Sequence, residues 1–142
     1  MKLLDVNIFS YAHREDSDRH AEIKTWLEKA LSAEETCGVS ELVLSACLRI
    51  ITHRKIFNPP TPLPNALDFI QQLHTHPNLL IVSPGRKHWE IFLRLCREGD
   101  ARGNLVSDAY HAALAIENGC EWITTDRDLA RFPGLKWRSP LE

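Results

Sequence analysis

Four short apolar runs, each handing over to a segment with helical spacing, restrict this chain to alternating strands and helices. The runs lie at residues 2–4, 37–39, 79–82 and 121–125, and 135–137 adds a possible edge strand. Between them, residues 7–13 read as a brief helix. From about residue 18 to 33, Ala21, Ile23, Trp26, Leu27, Ala30 and Leu31 recur at helical period. Ser40 suits an N-cap for a helix carrying Leu42, Val43, Leu44, Cys47, Leu48, Ile50 and Ile51. Further helices are expected at about 65–74, stopped by Pro77, and at 86–97, stopped by Gly99. One more spans 105–118 with Gly119 as its cap, and 127–131 forms a short turn of helix. Alternation of this kind predicts an α/β fold with a mostly parallel sheet flanked by helices on both faces.

The proline-rich stretch 58–64 is too short to join two domains and reads as a rigid connection between helices. A single domain over residues 1–142 is expected, long enough to bury a core without disulfides. Cys37, Cys47, Cys96 and Cys120 show no metal-binding spacing and are read mainly as small buried hydrophobes. A formal charge of -2 gives no overall pull toward nucleic acid or membrane. Asp5 interrupts the apolar start, and no run approaches the roughly 20 apolar residues of a membrane helix. The expectation is a soluble, cytoplasmic protein with no membrane partner.

Five acids stand at the joints of this pattern. Asp5 follows the first run, Glu41 opens a helix after Ser40, and Asp108 lies near the start of a small-residue helix. Asp126 and Asp128 follow the run at 121–125. Any one of them is explained by capping, since carboxylates in a first helical turn complement the backbone dipole by roughly 0.3–1 kcal/mol. Capping does not explain the set. Strand C-termini of an open α/β sheet converge on one crevice, and carboxylates gathered there repel unless a divalent cation intervenes. Oxygen-only ligands select Mg²⁺ or Mn²⁺.

Asp5-Val6-Asn7, Ser40-Glu41-Leu42, Ser107-Asp108 before an alanine-rich helix, and Thr125-Asp126-Arg127-Asp128 together resemble the ordered acidic pattern of PIN domains. The segment from Ile123 through Asp126, Asp128 and Phe132 to Gly134 is similar to the C-terminal signature of VapC-type ribonuclease toxins. The resemblance spans the chain. Val6 departs from it, standing where many members carry a small hydroxyl residue. The resemblance implies an endoribonuclease of a type II toxin–antitoxin pair that hydrolyses RNA with a metal-activated water. Asp5, Asp108 and Asp126 are the expected Mg²⁺ (or Mn²⁺) ligands, with Glu41 and Asp128 completing the site through water. It also implies a cognate antitoxin and a homodimer, with the helices 21–31 and 42–51 as candidate walls of a groove for the antitoxin.

Around the acids, Asn7, Thr124 and Thr125 are candidate hydrogen-bonding partners, while Arg86, Arg97, Arg102 and Arg127 are candidates for gripping RNA. Each also reads as ordinary surface or strand chemistry. His111, one turn from Asp108, reads as packed against the site, and His74 and His76 are poorly placed for a shared metal. A receiver domain needs an acid after the third run, where Ser83-Pro84 stands instead. A haloacid-dehalogenase-type phosphatase needs Asp where Asn7 stands. A catalytically silent binding module and a nuclease for another nucleic acid both remain open.

Overall fold

The computed structural model describes residues 1–142. Five parallel strands lie in the order β3-β2-β1-β4-β5. They are β1 (Lys2–Leu4), β2 (Cys37–Val39), β3 (Leu79–Ile81), β4 (Glu121–Ile123) and β5 (Trp137–Arg138). The first strand in sequence is therefore the middle one, pairing Lys2 with Cys37 on one side and with Glu121 on the other. Its place explains its composition. Leu3 and Leu4 have no accessible surface, as a strand covered on both faces requires.

The helices are α1 (Val6–His13), α2 (His20–Ser32), α3 (Glu41–Ile51), α4 (Leu63–His74), α5 (His88–Glu98) and α6 (Asn104–Glu117). From β1 to β2 to β3 the chain moves outward in one direction, through α1–α4; it then returns through α5 and α6 to β4. Right-handed crossovers put helices from opposite directions of travel on opposite faces. The packing agrees: α1 meets α2 and α3, α3 meets α4, and α5 meets α6. The order of connections reverses between β1 and β4, and a crevice opens there beyond the strand ends.

Most expected elements stand within two residues of their predicted limits, and the sheet is parallel throughout. The fourth strand is shorter than its apolar run: the Thr124 N–H still donates to the Arg138 carbonyl, but its hydroxyl and the Thr125 N–H serve the crevice. Residues 127–131 form a 3₁₀ helix. Gly119 has φ +63 and donates to the Ile116 carbonyl, closing α6 in the left-handed conformation that favours glycine. Gly99 ends α5 for another reason. Its φ is -91, but an added Cβ would stand 2.9 Å from Phe132 Cε1 and 3.0 Å from the Leu95 carbonyl. Close approach, not a special dihedral, requires the glycine there. All four cysteines are free; Cys37, Cys47 and Cys120 are buried, while Cys96 is only partly so. No helix is long and apolar enough to cross a membrane.

Candidate active site

Asp5 leaves β1 as the N-cap of α1, so one residue both starts a helix and enters the crevice. Its Oδ1 accepts from the Val6 backbone N–H at 2.6 Å. Its Oδ2 accepts from the Thr124 hydroxyl at 2.7 Å and from Asn7 Nδ2 at 3.2 Å. The residue is 8% exposed, and burial raises its pKa above the usual carboxylate range against the pull of these donors.

Thr124, fully buried just past β4, is the hub of the arrangement. Its hydroxyl donates to Asp5 and accepts from Asn7 Nδ2 and from the Asp126 backbone N–H at 3.0 Å. Asn7 reaches back through Oδ1 to accept from the Thr125 N–H at 3.2 Å. Asp5, Asn7 and the 124–126 segment thus form one network across two adjacent strands. With Val6 in place of a hydroxyl residue, the hydroxyl on Asp5 comes from Thr124.

Asp126 caps the 3₁₀ helix by accepting from the Asp128 N–H at 2.9 Å, and it also lines the crevice. Asp108 enters from α6, and its pKa is raised to about 6. Partial burial is the largest cause, followed by the charges of Asp126, Asp5 and Asp128, while Arg131 offsets some of the effect. Three carboxylates from three separate segments therefore act on one another electrostatically.

The crevice is an open cleft of about 590 Å³. Asp5, Asn7 and Asp126 form its floor. One wall is a face of α3 carrying Leu42, Ser45, Arg49 and Ile50; the other is a face of α6 carrying Asn104, Ser107, Asp108 and His111. Each set follows the three- and four-residue spacing of a single helical face. His111 is largely enclosed and stacks on Trp122 at 5.5 Å, and burial lowers its pKa to about 4. It is a neutral imidazole at physiological pH.

Of the five predicted acids, the fold draws Asp5, Asp108 and Asp126 into the cleft and leaves Asp128 exposed at its edge. Glu41 is not among the residues lining the cleft; it stands in the first turn of α3, 68% exposed, with its Oε2 2.9 Å from His74 Nε2 of α4. Of the arginines that were candidates for gripping RNA, none of Arg86, Arg97, Arg102 or Arg127 lines the cleft. Arg102 pairs with Asp100, and Arg127 with Glu142. The cation that does line it, Arg49, sits among apolar neighbours in sequence; its only signal was helical spacing from Leu42 and Ser45. The groove expected between α2 and α3 lies instead between α2 and α4, lined by Leu27, Leu31, Phe69 and Leu73.

Every anionic donor in the cleft is a carboxylate oxygen, which fits Mg²⁺ or Mn²⁺ and not a thiolate-loving metal. No three acidic, imidazole or thiol groups stand close enough to cage an ion alone. Mg²⁺ takes few carboxylates and keeps several waters, so an open arrangement suits it better than a closed cage.

A parallel α/β sheet with carboxylates at its switch point defines a class of acidic-cleft proteins. The chain belongs to the PIN domain family, whose model matches residues 2–135. It is 38% identical over 142 residues to ribonuclease VapC43 of Mycobacterium tuberculosis, covering 100% of this chain and 97% of that protein. Its fold is similar to that of VapBC2 from Rickettsia felis bound to a DNA fragment from their promoter, with a TM-score of 0.73 at 18% identity over 97% of both chains. A toxin–antitoxin complex from Klebsiella pneumoniae has a chain with a TM-score of 0.64 at 18% identity, covering 99% of this chain and 98% of that one.

Proposed function

We propose that this protein is a VapC-type endoribonuclease, the toxin of a toxin–antitoxin pair, that hydrolyses RNA phosphodiester bonds with Mg²⁺ or Mn²⁺. The observation that carries the reading is the convergence of Asp5, Asp108 and Asp126 on one cleft, with the proton affinity of Asp108 raised by partial burial and then by the other acids. The full-length likeness to a ribonuclease supports it.

In this reading Asp5 and Asp108 hold the ion directly, with Asp126 close behind and Asp128 acting through water. A bound divalent cation supplies an activated water and neutralises charge on the phosphate. Thr124 and Asn7 fix the orientation of the Asp5 carboxylate, so it does not reorganise during reaction. Asp108 would hold the ion as a carboxylate from the α6 wall. Neutral His111 adds no competing positive charge. Glu41, held by His74, receives no direct role.

The partner in this reading is a cognate antitoxin, in keeping with the toxin–antitoxin complex among the structural neighbours. The apolar groove between α2 and α4 is its seat. A homodimer acting in the cytoplasm completes the proposal.

The test is to incubate purified, partner-free protein with structured and unstructured RNAs under Mg²⁺, Mn²⁺ or EDTA, beside Asp5→Asn and Asp108→Asn variants. Cation-dependent cleavage that is lost in both variants supports the reading. Intact RNA under every cation moves the protein to a silent binding module. Cleavage of DNA alone changes the substrate class.

A further inference from the structure

We infer that Arg49 is the residue that binds a phosphate of the substrate strand, gripping it from the α3 wall while the carboxylates of the floor and the α6 wall would hold the scissile phosphate through the ion. The inference rests on the nuclease reading above and adds a residue to it.

Among the residues lining the acidic cleft, Arg49 is the only one with a fixed positive charge. It is exposed and makes no ion pair, whereas Arg14, Arg19, Arg94, Arg102, Arg127 and Arg138 all have carboxylate partners. Arg54, Arg86, Arg97 and Arg131 also make none, but of these unpaired arginines Arg49 alone lines the cleft. Its freedom is notable in a cleft with three acids. Arg49 lines the same cleft as Asp5, Asp108 and Asp126 yet forms an ion pair with none of them.

Arg49 lies in the last turn of α3, where a cation complements the helix dipole. That accounts for a basic residue somewhere in the turn, but not for its facing the cleft. It shares its face with Ser45, one turn back, and Leu42, two turns back. Seven residues of helix put Arg49 about 10 Å along the axis from Leu42. Across the cleft, Asn104 and Ser107 bring further uncharged polar side chains. An anionic strand laid between the walls meets a cation on one side and hydrogen-bonding groups on the other. A planar guanidinium binds phosphate in bidentate fashion, whereas lysine offers a point charge.

The experiment compares Arg49→Ala, Arg49→Gln and Arg49→Lys with Arg97→Ala, a change outside the cleft, in cleavage kinetics and in RNA binding within an Asp108→Asn background. Losing the grip is expected to raise KM about tenfold with little change in kcat, and to weaken binding by a similar factor. The slope of log affinity against log salt should fall by about one, with partial recovery in Arg49→Lys and none of these effects in Arg97→Ala. If the parent cuts RNA while folded Arg49→Ala and Arg49→Gln keep the same KM and salt slope, the assignment is overturned and the nuclease reading stands. If the parent neither cuts nor binds RNA, the nuclease reading fails and this assignment falls with it.

Discussion

Asp5 is nearly buried beside other acids, and it is tolerable there only because Val6, Asn7 and Thr124 donate to it. Thr124→Val keeps the shape and removes the hydroxyl. It is expected to cost about 1–3 kcal/mol by urea denaturation, since buried polar groups are left unpaired, and to lower cleavage at least tenfold. Asp108 sets the pH behaviour. Its folded pKa of about 6 lies above the unfolded value near 4, so between those values the folded state holds more protons. Metal-free protein should therefore lose stability as pH rises from about 4 to 6, and Asp108→Asn should flatten that slope in thermal melts. Asp5, Asp108 and Asp126 were legible in the sequence because each follows a strand or opens a helix. Arg49 and the hub role of Thr124 were not, for both depend on which helix faces and strand ends meet in space.

Helix ends carry local information, and at this scale the sequence read well. Ser40 caps α3 as expected, its hydroxyl accepting from the Val43 N–H at 3.1 Å. Ser40→Ala should cost about 1 kcal/mol, seen as a lower urea midpoint at unchanged slope. Glu41 shows the limit. Its place in the first turn was plain, but its contact with His74, 33 residues away on α4, was not. Gly99 shows another limit, because what it makes room for is Phe132, on a different element. Gly99→Ala should destabilise the protein by crowding that ring and the Leu95 carbonyl, and a lower melting temperature would register it.

Over the whole molecule, the charges in the cleft and the fold oppose each other. Carboxylates held together destabilise the native state, and a cation binding only to that state restores stability by mass action. Mg²⁺ at a hundred times its dissociation constant should add about 2.7 kcal/mol, read as a rise in melting temperature absent from Asp108→Asn. Alternating runs were enough to give the parallel sheet; they could not give its order, which depends on pairing between distant segments.

That order bears on how the protein is made. Lys2 is synthesised long before its partner Glu121 and before the Thr124 hydroxyl that steadies Asp5. Pairings so distant in sequence form late. A chain still on the ribosome lacks both the strand that completes the middle of its sheet and two of the segments that make its acidic cleft. The cleft is finished only once the segments carrying Asp108 and Asp126 have joined Asp5, so until then a growing chain keeps its carboxylates apart.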